Sequence, residues 1–209
     1  MDKSTSNALT DDAKALTAMR MQIDRIVPIP PEEWAFFAAR TSRRTLLQHD
    51  HFVRAGEELD EIAFCTCGLF RLYYTTPDGA EFNKNFCTSG DFVTVYSSLL
   101  QQVPSYFSIQ AMADSELIVF RYSDFKPLYD RHACWERLGR VIAEMLYLHK
   151  ETRERELLLY SAEERYRLFL QRYASLSRQL PLYHVASYLG ITPVALSRIR
   201  KKMTDLNLG

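Results

Sequence analysis

The chain has 209 residues, of which 47% are hydrophobic and 25% charged, with a formal charge of zero. This composition indicates an ordinary globular protein, large enough for one domain and a small second module without disulfide or metal staples. No apolar run approaches the roughly 20 residues that cross a bilayer, and the first residues do not resemble a signal peptide. We therefore expect a cytoplasmic protein whose four cysteines stay reduced.

The zero net charge conceals two parts of opposite sign. Residues 1–160 carry 18 Lys and Arg against 23 Asp and Glu, whereas residues 161–209 carry 8 against 3. An acidic body with a basic C-terminal part is suited to meeting a polyanion, although an excess of this size also arises by chance.

The first 30 residues are predicted to form an extension that is partly helical. Residues 13–27 favour an amphipathic helix, and the following Pro28-Ile-Pro-Pro31 sequence ends it. Pro31 then begins a second helix, because Glu32 and Glu33 place acidic side chains in its first turn.

Beyond Thr41 the pattern changes from helix to strand. β-branched and aromatic residues concentrate in four runs bounded by turn signals: 45–53, 62–74, 80–87 and 106–121. Pro77-Asp-Gly79 predicts a hairpin turn, because proline presets φ and glycine accepts a positive φ. Short strands separated by glycines predict an antiparallel double sheet, a jelly-roll β-barrel, within residues 31–132.

A long helix is predicted over residues 133–160, about 40 Å at 1.5 Å per residue. Its apolar residues recur at steps of three and four: Leu138, Val141, Ile142, Met145 and Leu148. Because this stripe is too long for one small barrel to cover, we expect it to form a dimer seam with a second copy. The run HKETRERE at 149–156 interrupts the stripe and is either a solvated face or a polar seam or ligand contact.

The most specific pattern lies in residues 161–209, predicted to be an all-helical domain. Ala186 is the small residue required where two steeply crossing helices touch, and Gly190 accepts a positive φ at the turn. Thr192 is a good N-cap and Pro193 a good first residue for the second helix. The spacing predicts a helix-turn-helix; the alternative is an ordinary αα-hairpin with a solvated basic end.

The free side of that second helix predicts contacts with DNA. Its N-terminal half could enter a major groove, where Arg198 reaches guanine O6 and N7. Cationic side chains further along the helix would neutralise phosphates. The predicted DNA-binding residues are Thr192, Pro193, Val194, Ser197, Arg198, Arg200, Lys201 and Lys202.

A β-roll, a long helix and a C-terminal helix-turn-helix together resemble the Crp/Fnr family of bacterial transcription regulators. The resemblance rests on FVRAGE at 52–57, GDFV at 90–93, ASYLGITP at 186–193 and LSRIRKK at 196–202. It implies an α+β fold with a cyclic nucleotide-binding-like roll, a dimerisation helix and a DNA-binding domain. Since only six residues follow Met203, we expect no full β-hairpin wing after the recognition helix.

The sequence departs from the cAMP-binding members of this family. They carry Gly-Glu-Leu and an Arg-Ser pair that grips the cyclic phosphate, where this chain has Thr94-Val-Tyr96 and Ser105-Tyr106. A buried cyclic phosphate needs a charge-assisted partner, so we expect an effector other than cAMP or a closed pocket. The candidate ligand-binding residues, each of which could instead be filler or surface, are Gly90, Tyr96, Ser97, Ser105, Tyr106, His149 and Lys150.

The sequence predicts no cofactor and no metal site. The iron–sulfur branch of the family uses an N-terminal cysteine cluster, and residues 1–60 contain no cysteine. Cys65 and Cys67 offer only two thiols, too few for a structural zinc site. No histidine lies between His51 and His132, where metal-dependent cupin chemistry would need clustered ligands, so we do not expect an enzyme.

We therefore expect a homodimeric transcription regulator whose partners are double-stranded DNA, a second copy, an unidentified small-molecule effector and RNA polymerase, with no membrane. Pro193 and Val194 replace the Arg and Glu of the cAMP-responsive branch, so the operator could differ from the usual one, with Val194 against a thymine methyl. The alternative is a ligand-binding or protein-interaction module that has lost regulated DNA binding.

Overall fold

The computed structural model describes residues 3–174, 176–177 and 179–206, with side chains described between residues 12 and 204. Its contacts divide the chain into two compact units. The roll unit holds the residues up to Leu72 together with Phe86–Glu144, and the C-terminal unit holds Tyr73–Asn85 together with the residues from Met145 onwards. The tip of one β-hairpin therefore belongs to the C-terminal unit. The domain boundaries placed after residues 30, 132 and 160 stay predictions.

The described residues contain eight strands in two four-stranded sheets, with orders β1-β8-β3-β6 and β2-β7-β4-β5. The strands are β1 (Ser42–Leu46), β2 (His51–Val53), β3 (Glu61–Cys67), β4 (Leu69–Thr75), β5 (Glu81–Thr88), β6 (Phe92–Val93), β7 (Ser108–Ala111) and β8 (Ser115–Arg121). Neighbours are antiparallel where their register is defined, as between β3 and β8.

The strand-rich runs 62–74 and 106–121 each contain two strands. Gly68 separates β3 from β4 with φ +135°, and a Cβ built there would lie 2.1 Å from Ser115 Oγ, so no larger residue fits. Run 45–53 is also divided, with His49 at φ 76° between β1 and β2. The hairpin turn at Pro77–Gly79 is confirmed, since Thr76 N donates to Ala80 O at 2.9 Å.

The described helices are α1 (Lys3–Ile26), α2 (Pro31–Ala38), α3 (Tyr96–Gln101), α4 (Tyr122–Phe125), α5 (Leu128–Arg131), α6 (Ala133–Leu159), α7 (Ala162–Arg172), α8 (Leu182–Leu189) and α9 (Pro193–Leu206). The long helix is confirmed to within one residue, whereas α1 begins at Lys3 rather than at residue 13. In the described part of the chain, none of these helices is both long and apolar enough to cross a membrane.

Two hydrophobic cores flank the first sheet of the roll unit. Alternate residues of β3 and β8 point into the space between the two sheets, where Cys65 and Leu117 are fully buried. The intervening residues, such as Phe64 and Phe120, pack on the opposite face against α1, α2 and α6. The result is a mixed α and β fold in which a β-sandwich carries helices on one outer face.

The helical face of the roll unit contains a buried carboxylate. Glu33 of α2 is 5% exposed and accepts hydrogen bonds from Trp135 Nε1 at 2.9 Å and Arg131 Nε at 3.0 Å. The bond from Trp135 and that from Arg131 hold the pKa of Glu33 below its usual value. This arrangement ties α2 to the start of α6.

Candidate DNA-binding surface and sensor region

The helix pair α8–α9 is built on a small apolar contact. Ala186 and Leu189 of α8 and Leu196 of α9 are each fully buried. Gly190 ends α8 with φ +67°, and Ile191 N donates to Ala186 O at 3.1 Å across the turn. The predicted positions of the small residue and of the positive-φ glycine are confirmed.

The start of α9 follows the predicted capping pattern. Thr192 Oγ1 accepts a hydrogen bond from Ala195 N at 3.2 Å, and Thr192 O accepts one from Leu196 N at 3.0 Å. Pro193 is the first helical residue, where its missing N–H leaves no bond unmade. The cap fixes where the exposed side chains of α9 begin.

Most of the predicted DNA-contacting side chains lie on one exposed side of α9. Val194 is 62% exposed, and Ser197 and Arg198 are exposed on the side opposite Leu196. Ser197 Oγ donates to Pro193 O at 3.0 Å. Lys201 is also exposed, while Lys202 donates to Glu163 Oε2 of α7 at 2.8 Å. This side of the helix is cationic and partly apolar.

Arg200 points in a different direction from these residues. It borders an open cavity whose other walls come from α7, α8 and the connection between them, including Phe169, Ser177 and Val185. Successive helical residues turn by 100°, which puts Arg200 well away from the side that carries Val194 and Arg198.

The charged run 149–156 is mostly exposed but contributes to a buried ion-pair cluster, so it is not a solvated face along its whole length. Glu156 is 4% exposed, and its carboxylate accepts from Arg172 Nη2 of α7 at 2.6 Å. Arg153 Nη1 lies 3.6 Å from the same carboxylate, and the Arg153 guanidinium stacks 3.9 Å from the Tyr188 ring centroid. Arg172 Nη1 also donates to Tyr188 Oη at 2.9 Å. The cluster joins the end of α6 to α7 and α8.

A contact that the sequence did not reveal joins the hairpin tip to α8. Ser187 Oγ accepts from Asn83 N at 2.8 Å and donates to Glu81 O at 3.1 Å. The hydroxyl therefore satisfies two backbone groups of the edge strand β5. Asn83, itself 5% exposed, also places its Nδ2 3.0 Å from Nδ1 of the buried His184. These residues are more than a hundred positions apart in sequence, and no local pattern signals the contact.

The segment that the sequence resemblance places at a phosphate-binding region carries no charged side chain from residue 92 to residue 113. Val95 is fully buried, and Ser105 is 3% exposed with its Oγ donating to Phe107 O at 2.6 Å. Ser105 N donates to Glu57 O, and Gly56 N donates to Ser105 O, each at 2.8 Å. The side chain and the backbone of Ser105 are thus engaged within the protein.

The other candidate ligand residues are dispersed among different surroundings. Tyr96 packs edge-on to Tyr122 with ring centroids 6.4 Å apart, and Tyr106 is 52% exposed with its hydroxyl donating to Gln101 at 3.0 Å. Gly90 adopts φ +94° in the turn before β6, and Ser97 is half-buried in α3. In the C-terminal unit His149 and Lys150 are exposed on α6.

The predicted seam residues differ in exposure. In the roll unit Leu138 is 2% exposed within the core, and Val141 and Ile142 pack partly against it. In the C-terminal unit Met145 is 42% and Leu148 59% exposed. Apolar surface for a second helix is therefore present from Met145 onwards.

The cysteines show different burial along β3. Burial raises the pKa of the Cys65 thiol to about 12, whereas Cys67 is exposed beyond a register shift in the strand. Among the side chains that the structure describes, no group of three or more His, Cys, Asp or Glu could hold a metal ion.

The sandwich and its helices define a class of fold that is shared with proteins of known structure. The structure is similar to that of FixK2 from Bradyrhizobium japonicum, with a TM-score of 0.67 and 20% identity over 80% of this chain and 86% of that chain. It is also similar to the c-di-GMP-responsive regulator CLP from Xanthomonas campestris, with a TM-score of 0.63 and 16% identity over 82% and 90%. The Catabolite Activator Protein of Thermus thermophilus matches with a TM-score of 0.55 and 21% identity over 89% and 88%.

A sequence match to a known domain covers a little under half of the chain. Residues 43–132 match the family model of the cyclic nucleotide-binding domain. No curated protein matches the chain. Residues 43–132 are therefore similar to a cyclic nucleotide-binding domain, and the fold is like that of the proteins named above.

Proposed function

We propose that this protein is a homodimeric, DNA-binding transcription regulator of the Crp/Fnr type. The observation that carries the proposal is the exposed side of α9, where Arg198 stands beside Val194 on a helix capped and packed at the turn 190–192. The strand orders β1-β8-β3-β6 and β2-β7-β4-β5 support a jelly-roll assignment for the sensor part.

The chemistry of α9 suits the reading of a major groove. Arg198 supplies the planar donors that pair with guanine, and the exposed Val194 supplies an apolar contact for a thymine methyl. Lys201 supplies a point charge for a phosphate. Base preference would come from the first two residues, and salt-sensitive affinity from the lysine.

Dimerisation through the C-terminal half of α6 would place two such helices on one DNA duplex. Met145, Leu148, Thr152 and Leu159 recur at steps of three, four and seven, and Leu159 is 73% exposed. Arg153 and Glu156 are engaged with α7 and α8 and are not needed for the seam. A two-fold dimer reads half-sites about 34 Å apart, one helical turn of DNA.

The sensor domain would recognise its effector without an ion pair from residues 92–113, the segment that the resemblance places at the phosphate-binding region. Buried anions need charge-assisted hydrogen bonds, and residues 92–113 offer no cationic side chain. Val95 and Ser105 stand where the resemblance places the cyclic phosphate's partners, and both are buried within the fold. We therefore favour an uncharged small molecule over cAMP.

Selection from a pool of random-sequence duplexes tests the proposal. The full chain is expected to enrich a site with two-fold symmetry, and its affinity should fall steeply as salt rises. If no sequence is enriched at low salt, the protein is instead a ligand-binding or protein-interaction module.

The dimer is tested by sedimentation of charged variants of α6. Met145→Asp and Leu148→Asp would bury unpaired charge at the seam and should give monomers. Tyr147→Asp is the matched control, because Tyr147 is 66% exposed and lies outside the 145, 148, 152 and 159 stripe. If all three variants sediment as the wild type does, the seam is elsewhere.

A further inference from the structure

The cationic side of α9 contains one lysine that already forms an ion pair within the protein. Lys202 Nζ lies 2.8 Å from Glu163 Oε2, and Arg167 Nη2 lies 2.7 Å from Glu163 Oε1. The Lys202 side chain is 65% exposed, whereas that of Glu163 is 23% exposed. The lysine is therefore accessible, and the carboxylate that holds it is the more constrained partner.

Glu163 is fixed in place by the start of α7. Ser161 caps this helix, with its Oγ accepting from Glu164 N while the Glu164 carboxylate accepts from Ser161 N at 2.7 Å. An acidic side chain in the first helical turn is also stabilised by the helix dipole. The hydrogen bond from Lys202 holds the pKa of Glu163 below its usual value. Glu163 is therefore ionised at neutral pH.

The neighbouring Lys201 provides a comparison within the same helix. It is exposed, and the structure gives it no ion pair among the residues described. A phosphate can approach Lys201 directly, whereas a phosphate that approaches Lys202 has to compete with the Glu163 carboxylate. Two adjacent lysines thus differ in their availability to a polyanion.

We propose that Glu163 sets the strength of DNA binding by withholding Lys202 from the phosphate backbone. This inference rests on the proposed function and adds a residue of α7, outside the recognition helix, that controls affinity. Glu163 acts on the sequence-independent electrostatic contact alone, so base preference is independent of it. Each added phosphate contact steepens the dependence of log K on log salt by about 0.9.

Salt titrations of binding to one selected duplex test the proposal. Glu163→Gln should bind about twofold to fivefold tighter at low salt, the size of a surface ion pair, with a slope steeper by about 0.9. Lys201→Gln should make the slope shallower by about 0.9, and Lys202→Gln should leave it unchanged. Equal losses for the two lysine variants would overturn the proposal, and this comparison stands even if Glu163→Gln fails to fold.

The double variant Glu163→Gln/Lys202→Gln separates release of the lysine from simple loss of repulsion between the carboxylate and DNA. The proposal requires its affinity and slope to match those of Lys202→Gln alone. A gain in DNA affinity that persists without Lys202 would assign the effect to repulsion between Glu163 and DNA or to Arg167. Weaker DNA binding by Glu163→Gln would mean that the ion pair stabilises the fold rather than limiting the availability of Lys202. Either result overturns the inference while leaving the proposed function intact, whereas a wild type that binds no duplex overturns both.

Discussion

Replacing Glu156 with glutamine is expected to loosen α8 and α9 from the end of α6. The Glu156 side chain is 5% exposed and forms an ion pair with Arg172, and Arg153 lies within ion-pair distance of the same carboxylate. Removing one partner of a buried ion pair costs about 3–5 kcal/mol because the remaining charge is left uncompensated. The Arg172 side chain is 39% exposed and can turn towards water, so we place the cost at about 2–3 kcal/mol, in the upper part of the range of about 1.5–3 kcal/mol for a hydrogen bond to a charged group.

Hydrogen exchange of the full chain measures this loss where it occurs. A reduction of 2–3 kcal/mol lowers the protection of amides in α8 and α9 by about 30- to 150-fold, if they exchange through opening of this cluster. Glu154→Gln is the matched control, because Glu154 is an exposed carboxylate on the same helix. Unchanged protection in Glu156→Gln would refute the view that the cluster anchors the helix pair.

Three further variants probe other parts of the fold. Glu33→Gln should make the free energy of unfolding depend less on pH in acid. The hydrogen bond from Trp135 is the main cause of the lowered pKa of Glu33, so the carboxylate stabilises the native state above about pH 4.5 and this stabilisation is lost as the pH falls through the lowered pKa. Urea denaturation at a series of pH values measures the difference between the variant and the wild type. Gly190→Ala should cost about 1–2 kcal/mol in urea denaturation because of its φ of +67°, and no cost would contradict this. Ser187→Ala should cost about 1–3 kcal/mol and speed exchange of the Asn83 amide, whereas unchanged exchange would exclude that bond as its protection.

Local sequence patterns were sufficient to predict much of this fold. The period of α6, the turn at Pro77–Gly79 and the capped start of α9 are each determined by neighbouring residues, and each prediction is confirmed. Apolar and aromatic residues continue on both sides of Gly68, and the break between β3 and β4 falls at this glycine, as the prediction of short strands separated by glycines implies. A side chain at this position would collide with Ser115, which is remote in sequence.

Features that depend on residues distant in sequence could not be predicted from local sequence patterns. Glu156 lies in a run of charges that is typical of a solvated face, and it is buried because Arg172 supplies the compensating charge. The bonds of Ser187 to β5 depend on a hairpin about a hundred residues earlier. The exposed side of α9 was predictable, but the ion pair between Lys202 and Glu163 was not, since that pair spans two helices.

The central claim is that the exposed side of α9 reads bases, and the preference profile of Arg198→Ala tests it most directly. With the selected duplex and its single-base variants, the substitution should cost about 1–3 kcal/mol and remove discrimination at one base pair in each half-site. Discrimination elsewhere in the site should be unchanged. An Arg198→Ala protein with the wild-type affinity and the wild-type profile would contradict the account.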